Sequence, residues 1–96
     1  MDYYGISTKA GKVIAGTDLV IEEMSKGRVK LVIIATDISE KSMKNMIYYC
    51  NKYNTDNLIY GTIEELSKAI GKNNKAIIGI KDENLAEGLK KQILNN

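Results

Sequence analysis

The strongest periodic signal in the chain is Met43, Met46, Ile47 and Cys50, spaced i, i+3, i+4 and i+7, which aligns four apolar side chains on one helical stripe. Ser39, four residues before it, is suited to cap that helix. A different pattern fills residues 30 to 36, KLVIIAT, whose nearly continuous apolar run suits a strand covered on both faces. The two kinds of signal alternate along the sequence. Asp2 followed by Tyr3, Ile6 and Ala10 predicts a first helix that Gly11 stops, and Lys12 to Ile14 reads as a short strand. Gly16-Thr17 opens a second helix with Val20, Ile21 and Met24 on its apolar face and Asp18 near its positive end; Gly27 ends it. After the exposed stretch NKYNTD comes the short strand NLIY. Thr62 and Glu65 then form a capping box, T-x-x-E, opening a helix with Leu66, Ala69 and Ile70 that Gly71 closes. KAIIGI is the last strand, and Asp82 caps a final helix carrying Leu85, Leu89 and Ile93, with the polar tail QILNN expected to fray. Four strands alternating with five helices predict an α/β fold in which a sheet lies between helical layers.

The totals narrow the chemistry. Ninety-six residues suit one domain, and apolar runs of four or five residues are too short to span a membrane. MDYYGIS has neither a basic start nor an apolar stretch, so it does not read as a secretory signal, and a cytoplasmic location is expected. The chain has no His, which excludes Ser-His-Asp and Cys-His catalysis within it. Its one cysteine, Cys50, cannot form an internal disulfide or a thiolate zinc site, and its place on the helical stripe reads as core. No enzyme, cofactor or metal is expected. The segment GISTKAGKVIAGTD, residues 5 to 18, invites comparison with a P-loop, but five residues separate Gly5 from Gly11 and Val13 follows Lys12 where a hydroxyl is required. The net charge of +2 is mild, yet residues 3 to 17 hold two lysines and residues 66 to 81 hold four, with no acid in either stretch. Two acid-free stretches meeting on one face would make a phosphate-binding surface.

The order of these pieces resembles the kink-turn RNA-binding family of ribosomal proteins, the L-seven-Ae and L-thirty-e type, and within it the short free-standing bacterial members. AGKVIAGTDLV at 10 to 20, GRVKLVIIATDIS at 27 to 39, YGTIEELSKAIGK at 60 to 72 and KAIIGIKDE at 75 to 83 carry the likeness. The resemblance implies a three-layer α/β/α sandwich with a four-stranded mixed sheet, and residues 1–96 as a single RNA-binding domain. It implies a non-catalytic protein that binds a kink-turn or bulged RNA helix, with ribosomal RNA the natural candidate and no DNA or membrane partner. By the same resemblance the helix start at Gly16, Thr17 and Asp18 enters the RNA. The turn at Thr36 and Asp37 lies beside it, as does the loop of Lys72, Asn73, Asn74 and Lys75, and Lys12 neutralises a phosphate. Gly16 permits close backbone approach, the free N–H groups of the following turn suit an anion, and Lys9, Lys12, Lys72 and Lys75 are the candidate phosphate contacts.

The helix start departs from the family pattern. Family members that read RNA strongly carry Gly-x-Asn-Glu-x-x-Lys, and the run here is Gly16-Thr17-Asp18-Leu19-Val20-Ile21-Glu22, in which only the glycine is kept. Each missing base-edge contact would cost roughly 1–3 kcal/mol by analogy with groove readout. Glu22 and Glu23 are expected to face solvent. A protein-interaction module on the same fold, with reduced RNA binding and a protein partner, is the alternative. Tyr48, Tyr49 and Tyr53 lie on a helix away from the proposed loops and read as packing and surface cover.

Overall fold

The computed structural model describes residues 11–95, so the helix expected over Tyr3 to Ala10, and Lys9 with it, lies outside the described residues. In chain order the elements are β1 (Val13–Ala15), α1 (Thr17–Ser25), β2 (Leu31–Ile34), α2 (Glu40–Lys52), β3 (Asp56–Ile59), α3 (Ile63–Ala69), β4 (Ile77–Ile80) and α4 (Glu83–Leu94). The strands form one mixed sheet in the order β1-β4-β2-β3. β4 pairs antiparallel with β1 (Val13 opposite Ile80) and with β2 (Leu31 opposite Ile80). β2 pairs parallel with β3, Leu31 opposite Asp56.

Strand alternation divides the core into two layers. Leu31, Ile33, Ile78 and Ile80 face Leu66, Ile70, Ala86 and Leu89 of the α3 and α4 side. Val32, Ile34 and Ile77 face Val20, Met24, Met46 and Cys50 of the α1 and α2 side. Residues of β2 and β4 point to both faces and are buried on both, which is why their sequence is continuously apolar and not alternating. Each fully buried aliphatic side chain contributes roughly 1.5–3 kcal/mol relative to exposure. Gly79 is needed on the α1 side, since a Cβ there would come within 3.0 Å of Ile14 Cγ1 and 3.3 Å of Val20 Cγ2. The expected three-layer sandwich with a four-stranded mixed sheet is what the molecule has.

The tail does not fray where expected. Helix α4 runs through Gln92 and Ile93 to Leu94, and the Asn95 N–H still reaches the Lys91 carbonyl at 3.0 Å. Both Gln92 and Ile93 are half-buried, so this turn is not the fully solvated tail its polar composition suggests. Among the described residues no helix is long and apolar enough to cross a membrane.

The pairing directions have one consequence for function. The C-terminal ends of β1, β2 and β3 and the N-terminal end of β4 all lie at the same end of the sheet. Helices α1, α2 and α3 therefore begin there, and the connection from α3 to β4 returns there.

Candidate nucleic-acid interface

That loop end gathers most of the residues singled out in the sequence. Gly16 caps α1 with φ 109° and ψ 140°, a conformation open essentially to glycine alone. Its N–H donates to the Ile77 carbonyl at 2.9 Å and its carbonyl accepts from the Val20 N–H at 3.0 Å, so the backbone is fixed on both sides of the bend. No side chain caps α1. The other three helices are capped by Ser39, Thr62 and Asp82. The N–H groups of Thr17, Asp18 and Leu19 have no intrahelical partner, as at any helix start, and all three residues are exposed. The Lys75 ammonium lies 3.8 Å from where a Cβ on Gly16 would sit. Thus a cation from one acid-free stretch lies directly over the glycine of the other.

A buried serine sets the Lys75 backbone. Ser67 accepts from the Lys75 N–H at 2.7 Å and donates to the Lys75 carbonyl at 3.2 Å, both through its hydroxyl. Between the two residues the chain bends through Gly71 and Asn74, with φ of 68° and 53°. Lys72, Asn73 and Asn74 are exposed on this bend, which with Asp37, Ile63 and Ser67 lines an open groove of about 690 Å³. Sequence reasoning misses Ser67, although a signal exists. It falls with Leu66 and Ile70 on the inward side of α3, where a hydroxyl must find a partner.

Thr36 and Asp37 lie where expected, but their side chains are already used. Thr36 donates from both N–H (2.7 Å) and Oγ1 (2.9 Å) to the Gly61 carbonyl. Asp37 Oδ1 accepts from the Ile63 N–H at 2.8 Å and so joins Thr62 in capping α3. These two residues tie the β2–α2 turn to the β3–α3 turn at the loop end of the sheet.

Lys12 is not brought into this cluster. It precedes β1, and its carbonyl accepts from Lys81 N–H at the opposite end of β4. Four residues at about 3.3 Å each separate it from Gly16 along the strand, roughly 13 Å. Glu23 departs from expectation too. It is buried, and its carboxylate holds Lys81 at 2.9 Å, Arg28 at 3.6 Å and Lys26 at 3.8 Å. The Lys81 hydrogen bond keeps the Glu23 carboxyl below the usual carboxylate range, against the opposing effect of burial. Glu22 is exposed as expected, and Leu19 is an exposed apolar residue in the first turn of α1.

Comparison with known proteins agrees with this architecture. The model of the ribosomal protein L7Ae/L30e/S12e/Gadd45 family matches residues 2–90. The chain is 33% identical over 88 residues to a protein of Bacillus subtilis named RNA-binding protein YlxQ, covering 88% of this chain and 85% of that protein. It is 30% identical over 93 residues to the protein of the same name from Enterococcus faecium, covering 97% of this chain and 89% of that one. A solved structure of a protein of unknown function from Bacillus halodurans superimposes with a TM-score of 0.87 at 27% identity, over 95% of this chain and 92% of the other. The chain belongs to the ribosomal protein L7Ae/L30e/S12e/Gadd45 family.

Proposed function

We propose that this protein binds structured RNA without catalysing a reaction on it, and that the loop end of the sheet grips a kinked or bulged helix. The observation that carries the reading is the Lys75 ammonium placed over Gly16 at the one helix start without a side-chain cap among the described residues. Backbone N–H groups, a positive helix end and a cation converge there, and an RNA phosphate fits all three. The family and the RNA-binding name of the two YlxQ relatives support the same function. Leu19 and Asp18 offer no amide edge for bases, so selectivity comes from the bent backbone more than from base identity. Ribosomal RNA in the cytoplasm is the natural source of such a helix.

A titration at fixed moderate salt tests this, comparing a kink-turn RNA with a straight duplex of equal length. Tighter binding to the bent RNA, weakened by Lys75→Ala and unaffected by Lys12→Ala, is expected. Equal binding to both RNAs would overturn kink selectivity. No binding to either, with a protein copurifying instead, would favour the alternative of a protein-interaction module, for which the exposed Leu19 would be the first contact to test.

A further inference from the structure

We infer that the outer face of α2 is a second RNA contact, which binds an unpaired strand leaving the kinked helix; the inference rests on the reading above. Lys41, Tyr48 and Lys52 are separated by seven and four positions, which at 3.6 residues per turn places them within about 20° of one line. All three are exposed, directly opposite the Met46 and Cys50 stripe that enters the core. The line begins four residues after Asp37, at the loop end, and runs about 16 Å down the side of the molecule at 1.5 Å per residue. The line thus starts at the end of the sheet where the proposed interface lies.

The line has the two components that single-strand binding uses, cations for phosphates and an aromatic face for a base. Tyr48 is 57% exposed and is braced edge-to-face by Tyr49, with ring centroids 5.1 Å apart. Tyr49 stacks in turn on Tyr53, and the Lys52 ammonium lies 5.5 Å from the Tyr53 ring. Tyr48 thus presents a ring already held in place, with less freedom to lose on binding. Among the described residues Lys41 and Lys52 form no ion pair, so neither charge is neutralised by the protein. A basic line with an exposed tyrosine in its middle fits RNA strand chemistry, and Tyr48, which reads in the sequence as surface cover, belongs to that line.

The test uses one kink-turn RNA in three forms: blunt-ended, with six-nucleotide unpaired tails at both free ends, and with those tails paired by complementary strands. Wild type is expected to bind the tailed RNA roughly 5- to 160-fold more tightly than the blunt form, the range that stacking of one base supplies. Tyr48→Ala should remove most of that gain. Lys41→Ala/Lys52→Ala should lower the salt slope for the tailed RNA by about 1.4 while leaving the blunt RNA unchanged. Pairing the tails should abolish the gain. Tails that add nothing, or a gain that survives both variants, would overturn the second contact while kink binding stands. Failure of wild type to bind the blunt RNA, or blunt-RNA binding that Lys75→Ala leaves unchanged, would overturn the loop-end reading and this inference together.

Discussion

At the end of the sheet where α1, α2 and α3 begin, Lys72 and Lys75 form no ion pair among the described residues, whereas at the other end Glu23 holds three cations and Asp56 holds Lys90. The loop end is shaped instead by side chains bonded to backbone: Thr36 to Gly61, Asp37 to Ile63, and Ser67 to Lys75. Both ends are ordered, but by different means. Where charge is used to fix the structure, it is neutralised in doing so. Where neutral hydroxyls and a capping carboxylate fix the loops, ammonium charge is left available to an anionic ligand. The difference separates stability from binding, and substitutions should separate them as well.

The largest effect is expected from Lys72→Ala/Lys75→Ala. Hydrogen bonds to charged groups contribute about 1.5–3 kcal/mol each, so RNA affinity should fall at least tenfold. The salt slope should fall by about 1.8 for contacts to a duplex arm. Thermal stability should barely change, since Lys72 is exposed, Lys75 is half-buried, and neither ammonium has an ion-pair partner among the described residues. The matching change at the far end, Lys81→Ala/Lys90→Ala, should do the reverse, lowering the unfolding midpoint while leaving affinity intact. Parallel titrations and melts of the two variants would break the comparison if both lost affinity equally.

Asp37 sharpens it, because a carboxylate at an RNA face can either hold the protein together or touch the RNA. If it serves as the second cap of α3, Asp37→Ala should cost about 0.5–2 kcal/mol of stability, measured by denaturant unfolding. Asp37→Asn keeps the acceptor oxygen and removes the charge. That variant should retain most of the stability and bind RNA at least as tightly as wild type, since a negative charge leaves the interface. A loss of affinity in the Asn variant at full stability would instead make the carboxylate a direct RNA contact.

How much of this is legible in the sequence depends on the physical cue each residue leaves there. Helix α2 and strand β2 are plain, because a 3.6-residue stripe fits a helix and little else, and a four-residue apolar run of branched side chains fits a buried strand. Gly16 is legible from its place before a helix, and its φ of 109° agrees. Lys12 reads as part of the site because it is close to Gly16 in sequence, but a strand carries neighbours apart at about 3.3 Å per residue, and β1 takes it to the wrong end. Glu23 reads as surface because one charge in a helix carries no sign of its partners. Those partners come from the α1–β2 connection and from Lys81, residues that only the fold brings together. Ser67 escapes notice for the converse reason, a small polar residue whose inward position shows only in the period of the helix.

The Glu23 cluster gives the far end a pH signature that the loop end lacks. The Lys81 hydrogen bond lowers the Glu23 carboxyl below its unfolded value, so its contribution is present above the ordinary carboxylate range near 4.3 and is lost as pH falls through the lower folded value. Glu23→Gln should therefore be less stable than wild type at pH 7, with the gap closing below about pH 4. Thermal melts across that range would show it. RNA affinity at pH 7 should be unchanged wherever the variant remains folded, since the carboxylate is paired with Lys81 at the opposite end of β4.

The smallest expected signal comes from Cys50, and it asks whether the far end is as closed as its ion pairs suggest. The thiol is 1% exposed beneath an open groove of about 480 Å³ that Leu31, Asn54, Asp56 and Lys90 also line. Burial pushes its pKa up to about 11, so at pH 8 about one thiol in a thousand is ionised. Modification by a soluble disulfide reagent should therefore be slow in the native protein and fast once denaturant is added. Lys90→Ala removes the ammonium that bridges α4 to Asp56 and should speed native modification by admitting reagent to the groove. The loop-end pair Lys72→Ala/Lys75→Ala should leave the rate unchanged. Acceleration by the loop-end variant instead would mean that the two ends open together, and that the lysines left free for RNA also hold the far end closed.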